Sequence, residues 1–162
     1  MTLPRTPSQT VGPFYAIGLC RRTDNELVAP GDEAAVHLSG VLLDGAGEPI
    51  PDGLVELWSA SARAWGRCGT HADGRFEFVL AKPPAVAGEA PRYDVYVFAR
   101  GLLRHQLTRL YFPDEPEANA ADPVLAALTP DERATLVARA DRDGLRFDIR
   151  MQGESQTVFF AT

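Results

Sequence analysis

Long hydrophobic runs are missing from this chain. No stretch approaches the roughly 20 apolar residues that a bilayer-spanning helix needs, so no membrane association is expected. The opening Met1 to Pro7 lacks the apolar centre of a secretory signal. No basic run occurs either. Sixteen Lys and Arg stand against twenty-two Asp and Glu, a net charge of −6, which argues against a nucleic-acid partner. Cysteine is scarce: Cys20 and Cys68 are far apart and form no CxxC pair. That is too little for a disulfide framework and reads as two reduced thiols in a cytoplasmic protein.

Familiar catalytic patterns are absent as well. His37, His71 and His105 fit no local metal-ligand motif. No GxSxG elbow surrounds any serine, and no glycine-rich stretch has phosphate-binding spacing. Each thiol has one arginine beside it, Arg21 and Arg67, which is not the cationic setting of a reactive thiolate. Taken alone, the residues carry no visible catalytic set.

What the chain does have is turns. Thirteen Pro and fourteen Gly in 162 residues imply short strands in one domain. Strand patterns run over 36–43, 54–58, 75–79, 92–98 and 107–112, separated by turns such as Asp44-Gly45-Ala46-Gly47, Pro51-Asp52-Gly53 and Ala72-Asp73-Gly74. Leu145 to Met151 alternates strictly, and 156–160 reads as a last strand. Asp122-Pro123 can open a helical turn through Leu128. Thr129-Pro130-Asp131-Glu132 is a capping box that starts a second short helix. The expected fold is all-β, a β-sandwich with one or two short helices. Residues 1–35 read as an N-terminal arm and 36–162 as the sandwich. The arm carries Val11, Phe14, Tyr15, Ile17 and Leu19, apolar residues that a flexible tail would lack, so it is expected to pack against something.

Three stretches add a resemblance. They are Thr6 to Tyr15 (TPSQTVGPFY), Leu38 to Trp58 (LSGVLLDGAGEPIPDGLVELW), and Phe98 to Gly101 with Thr108 to Phe112, Arg146 to Arg150 and Gln152 to Glu154. Together these resemble the intradiol ring-cleaving dioxygenases, and within them the metal-free α subunits. The resemblance implies a partner β subunit that binds iron(III) through two tyrosinates and two histidines. Anionic oxygen donors favour that oxidation state. The assembled enzyme would cleave protocatechuate with O2 to 3-carboxy-cis,cis-muconate, a step of aromatic catabolism in the β-ketoadipate pathway.

At the ligand positions the chain departs from the family. The segment after Trp58, 59–66, has no Tyr. The segment 83–91 has none, and the HxH triplet is replaced by Arg92-Tyr93-Asp94. Arginine stays protonated and is a poor ligand. No metal, no iron cofactor and no catalytic residue are therefore expected in this chain, and Arg92 and Asp94 are expected to pair. Carried over by the resemblance, Thr10, Gly12, Pro13, Phe14 and Tyr15 of the arm, with Arg100 on the strand, would line the partner's substrate pocket. Phe14 stands where the family often has Tyr, and Tyr15 is the candidate to replace that hydroxyl. An alternative is a transthyretin-like or carboxypeptidase-regulatory binding module. It matches Gly53 to Leu57 and Thr70 to Phe78 but explains neither the arm nor the later stretches.

Overall fold

The computed structural model describes residues 3–12, 14–29 and 31–161. Two sheets face each other. One is built on β1 (Val36–Leu43), which pairs antiparallel with β4 (Arg75–Leu80) and parallel with β8 (Gly144–Arg146) and β9 (Ile149–Arg150); β7 (Arg139–Asp141) extends it beyond β8. The other runs β3 (Ala64–Gly69), β2 (Leu54–Ser59), β5 (Arg92–Phe98), β6 (Gln106–Tyr111), antiparallel throughout. The expected β-sandwich is the observed architecture.

Period-two alternation sends one set of side chains between the sheets. Leu38 and Leu42 of β1, Phe76, Phe78 and Leu80 of β4, and Tyr93, Val95 and Val97 of β5 are all buried there. Gly40 takes the place of an inward side chain on β1. A Cβ there would run into the Phe147 carbonyl and the Phe76 ring. A smaller cluster around Tyr111, Leu125 and Leu136 lies under the helices.

Among the described residues the helical content comes in four short pieces rather than one or two: α1 (Tyr15–Leu19), α2 (Pro116–Ala121), α3 (Pro123–Ala126) and α4 (Pro130–Ala134). The Thr129 capping box starts α4 as expected. Asp122 caps α3 by accepting from Val124 N and Leu125 N. Helix α1 lies within the arm, where Pro and Gly punctuation had suggested only irregular chain.

Three further differences have physical causes. Strand β3 had no legible pattern, because its inward residues are Ala64, Gly66 and Cys68. Its pairing with β2, in register Trp58↔Trp65, makes it a strand. The alternating run 145–151 is two strands, interrupted at Phe147-Asp148 although both keep one register with β1. There the Asp148 carboxylate accepts from Val41 N and replaces a ladder bond. Residues 156–160 form no strand and touch the sheet by one bridge, Leu107↔Phe160. Their backbone is satisfied partly by side chains, with Thr108 Oγ1 donating to Val158 O and Val158 N to Thr135 Oγ1, and partly by main chain, with Thr157 N donating to Arg150 O and Phe160 N to Leu107 O. Among the described residues no helix is long and apolar enough to cross a membrane.

Candidate functional site

The three segments that lack iron ligands converge in space. Register places Trp58 opposite Asp94, and Arg92 opposite Tyr111, on the outer face of the β3-β2-β5-β6 sheet. The loop after β2 and the loop before β5 close over them. The result is a cavity of about 200 Å3 lined by Trp58, Ser59, Ser61, Glu89, Arg92 and Asp94 among others. Both carboxylates in it face arginines. Glu89 Oε2 accepts from Arg92 at 2.8 Å, and Asp94 Oδ1 lies 3.8 Å from Arg92 Nε and 3.4 Å from Arg109 Nε. The expected Arg92–Asp94 pair is thus a three-cornered cluster completed by Arg109, which the sequence did not single out. Tyr93 points the other way, into the core, and donates to Ala81 O at 2.8 Å. Burial pushes its phenol up to about 12.

An iron ion needs several anionic or neutral donors aimed at one point. Here the Arg92 guanidinium lies in the cavity between Glu89 and Asp94, Arg109 holds Asp94 from the neighbouring strand, and the remaining wall is serine, alanine, tryptophan, proline and valine. The residues do not fit the metal. Among the described residues no three His, Cys, Asp or Glu side chains gather anywhere. Cys20 and Cys68 are both free thiols, and burial raises the pKa of each.

Of the candidate wall residues, Thr10, Tyr15 and Arg100 meet at a second place, where the arm crosses two turns. Pairing of Leu54 with Phe98 sets the turn before β2 beside the turn after β5. Arg100 belongs to the latter turn rather than to the strand, because β5 ends at Phe98. Its Nε makes a close ion pair with Asp52 Oδ2. The contact is one of charges rather than an aligned hydrogen bond.

The arm is tied to the same two turns. The Tyr15 hydroxyl donates to the pair of carbonyls Asp52 O and Phe98 O, at 2.9 and 2.8 Å. Burial, then the nearby Asp52 charge, raises the Tyr15 pKa well above the ordinary phenol range, so the donor proton stays on. Thr10 Oγ1 accepts from Gly101 N at 2.7 Å. Phe14 is 75 % exposed and Ile17 76 %. A Cβ on Gly12 would meet nothing within 4 Å, so the chain is open on that side. Pro13 lies outside the described residues. Between the arm and the β5–β6 turn is a further cavity of about 300 Å3, lined by Val11, Phe98, Leu102 and His105 among others.

Two clamps on the sandwich were not legible beforehand. Arg67 on β3 is held by Glu56 on β2 at 2.5–2.7 Å and donates to Leu19 O, the end of α1, at 2.7 Å. Asp52 had been read only as a turn residue. Its sequence signal, an acid between Pro51 and Gly53, says turn and nothing about Arg100.

Comparison with known proteins gives a consistent picture. No family model matches. The chain is 39 % identical to the protocatechuate 3,4-dioxygenase alpha chain of Burkholderia cepacia over 193 aligned positions, covering 98 % of each. It is 39 % identical to the alpha chain of Pseudomonas putida, covering 98 % of this chain and 96 % of that one. The Burkholderia cepacia beta chain is more distant, 28 % identical over 75 % of this chain and 66 % of its own length. The alignment with the first exceeds the 162 residues of this chain, so that relative carries segments this one lacks. Among solved structures, the dioxygenase domain of a carbohydrate-binding fusion from Streptomyces sp. SirexAA-E superposes with a TM-score of 0.64 at 23 % identity, covering 91 % of this chain and 99 % of that one. Hydroxyquinol 1,2-dioxygenase from Pseudomonas putida DLL-E4 gives 0.59 at 14 %, covering 95 % and 64 %. Those two likenesses speak for the fold, whereas identity sustained from arm to C-terminus speaks against a generic binding module, and the chain belongs to the protocatechuate 3,4-dioxygenase alpha-chain family.

Proposed function

We propose that this chain is the non-catalytic α subunit of a protocatechuate 3,4-dioxygenase, acting in the cytoplasm. Its partner is a β subunit that holds iron(III), and the pair cleaves protocatechuate with O2 to 3-carboxy-cis,cis-muconate. The observation that carries this reading is the arginine-filled cavity at the ligand positions of a chain otherwise alike to alpha chains over its length.

Iron(III) held by the partner would supply the ring-activating chemistry. The work of this chain is to shape the pocket. Residues 1–35 act as interface arm, with Thr10, Gly12, Pro13 and Phe14 as wall. The exposed Phe14 and Ile17 give that arm apolar surface to bury. Tyr15 holds the arm down through its two carbonyl acceptors. Arg100, whose side chain is 56 % exposed, pairs with the substrate carboxylate.

The test is iron content and protocatechuate-dependent O2 uptake, for the chain purified alone and co-produced with a β-type chain. Neither is expected alone and both on co-production. Iron and turnover in the lone chain would overturn the reading. Silence in both preparations would favour a binding module.

A further inference from the structure

We infer that Asp52 is a positioning residue, which aims Arg100 at the carboxylate of the substrate in the shared pocket. This rests on the reading of Arg100 as part of that pocket.

Asp52 and Arg100 come from separate turns, brought side by side by the Leu54↔Phe98 pairing. The relative height of the turns is fixed by Tyr15, whose hydroxyl bonds a main-chain carbonyl on each. The far side of the Arg100 turn is fixed by Thr10 at Gly101 N. Within this frame one freedom remains, the swing of the long Arg100 side chain.

Asp52 removes it in a particular way. It faces Nε, the inner nitrogen. The carboxylate is the buried member of the pair, 22 % exposed against 56 % for the arginine. Among the described residues no hydrogen bond engages either Nη nitrogen. The Nη1–Nη2 end left outward carries parallel N–H groups, which a carboxylate can take bidentately. The Nε side of a guanidinium also takes a carboxylate, so Asp52 can hold that side while the end stays available. This one turns its side to Asp52 and its fork to the open face.

The assembled αβ enzyme tests this with Asp52→Asn, which keeps the carbonyl used by Tyr15 and removes the charge. Releasing a rotamer-rich side chain predicts a KM for protocatechuate raised roughly three- to tenfold, with kcat little changed. Catechol, which lacks the carboxylate, should show no KM change. Asp52→Glu should recover part of the loss. In an Arg100→Ala background, Asp52→Asn should add nothing, because both substitutions remove the same interaction. An equal effect on catechol, or an undiminished effect in the Arg100→Ala background, would make Asp52 a general structural residue and overturn the inference. If Arg100→Ala raises KM but Asp52→Asn does not, the positioning role fails while the pocket reading stands. If Arg100→Ala leaves KM unchanged, both fall.

Discussion

At the scale of single residues, the polar side chains that matter most are buried and multiply engaged. Asp122 is 1 % exposed, and its two oxygens accept from Ala90 N, Val124 N, Leu125 N and the Tyr111 hydroxyl. Asp122→Ala strands these donors inside the protein, and loss of a cap with buried donors predicts a cost of about 2–4 kcal/mol. A urea titration followed by tryptophan fluorescence reads it. A change below about 1 kcal/mol would mean water reaches the vacated site. The sequence announced this residue only as a helix opener, through Asp122-Pro123. Its bonds to Ala90 and Tyr111 depend on which strand lies beneath the helix, and no local pattern states that. The same holds for Asp94, whose second arginine, Arg109, arrives from a neighbouring strand.

At the scale of elements, local pattern succeeded where one face was buried and apolar. Strands β1, β4, β5 and β6 were visible because Leu, Val, Phe and Tyr alternate with polar residues. Pattern failed at β3, whose inward residues are small, and at 145–151, where Asp148 breaks the ladder with its own carboxylate. Helix α1 is an element held from outside. It has five residues, no side-chain N-cap and no buried residue. Too short to stand alone, it depends on Tyr15 at its start and Arg67 at its end. Arg67→Met keeps an apolar stem but removes the guanidinium over Trp65 and the bond to Leu19 O, and it leaves Glu56 without its cation. Limited proteolysis should then cut faster after Arg21 or Arg22, next to α1, by about fivefold to tenfold if the local opening costs about 1 kcal/mol less. Unchanged cutting would assign the stability of α1 to Tyr15 alone.

For the whole molecule, three phenols are raised by burial: Tyr15, Tyr93 and Tyr111. A phenol with a raised folded-state pKa favours the folded protein while protonated. The unfolded chain releases that proton near its ordinary value of about 10. The contribution is therefore complete below about pH 10 and is lost as pH climbs above it toward the raised folded values, about 12 for Tyr93, at up to about 1.4 kcal/mol per pH unit for each group. The two thiols, also raised, begin the same decline nearer pH 9. Urea midpoints should thus fall steeply between pH 10 and 12, and Tyr93→Phe should make that fall shallower. Parallel falls in parent and variant would mean that Tyr93 ionises as readily folded as unfolded.

The ties between arm and sandwich share one property: a main-chain group stands at one end or both. Tyr15 grips the carbonyls of residues 52 and 98, Thr10 receives the amide of 101, and Arg67 holds the carbonyl of 19. Asp24 O accepts from Arg67 N, and Leu27 N donates to Val79 O. Peptide groups are present whatever side chain a codon specifies. The seam between arm and body can therefore survive drift at residues 19, 79 and 98, and among the described residues the information that fastens it is written in four side chains, Thr10, Tyr15, Asn25 and Arg67. A lineage could remodel the sandwich surface, and with it the choice of partner, without first having to reinvent how the arm is fastened.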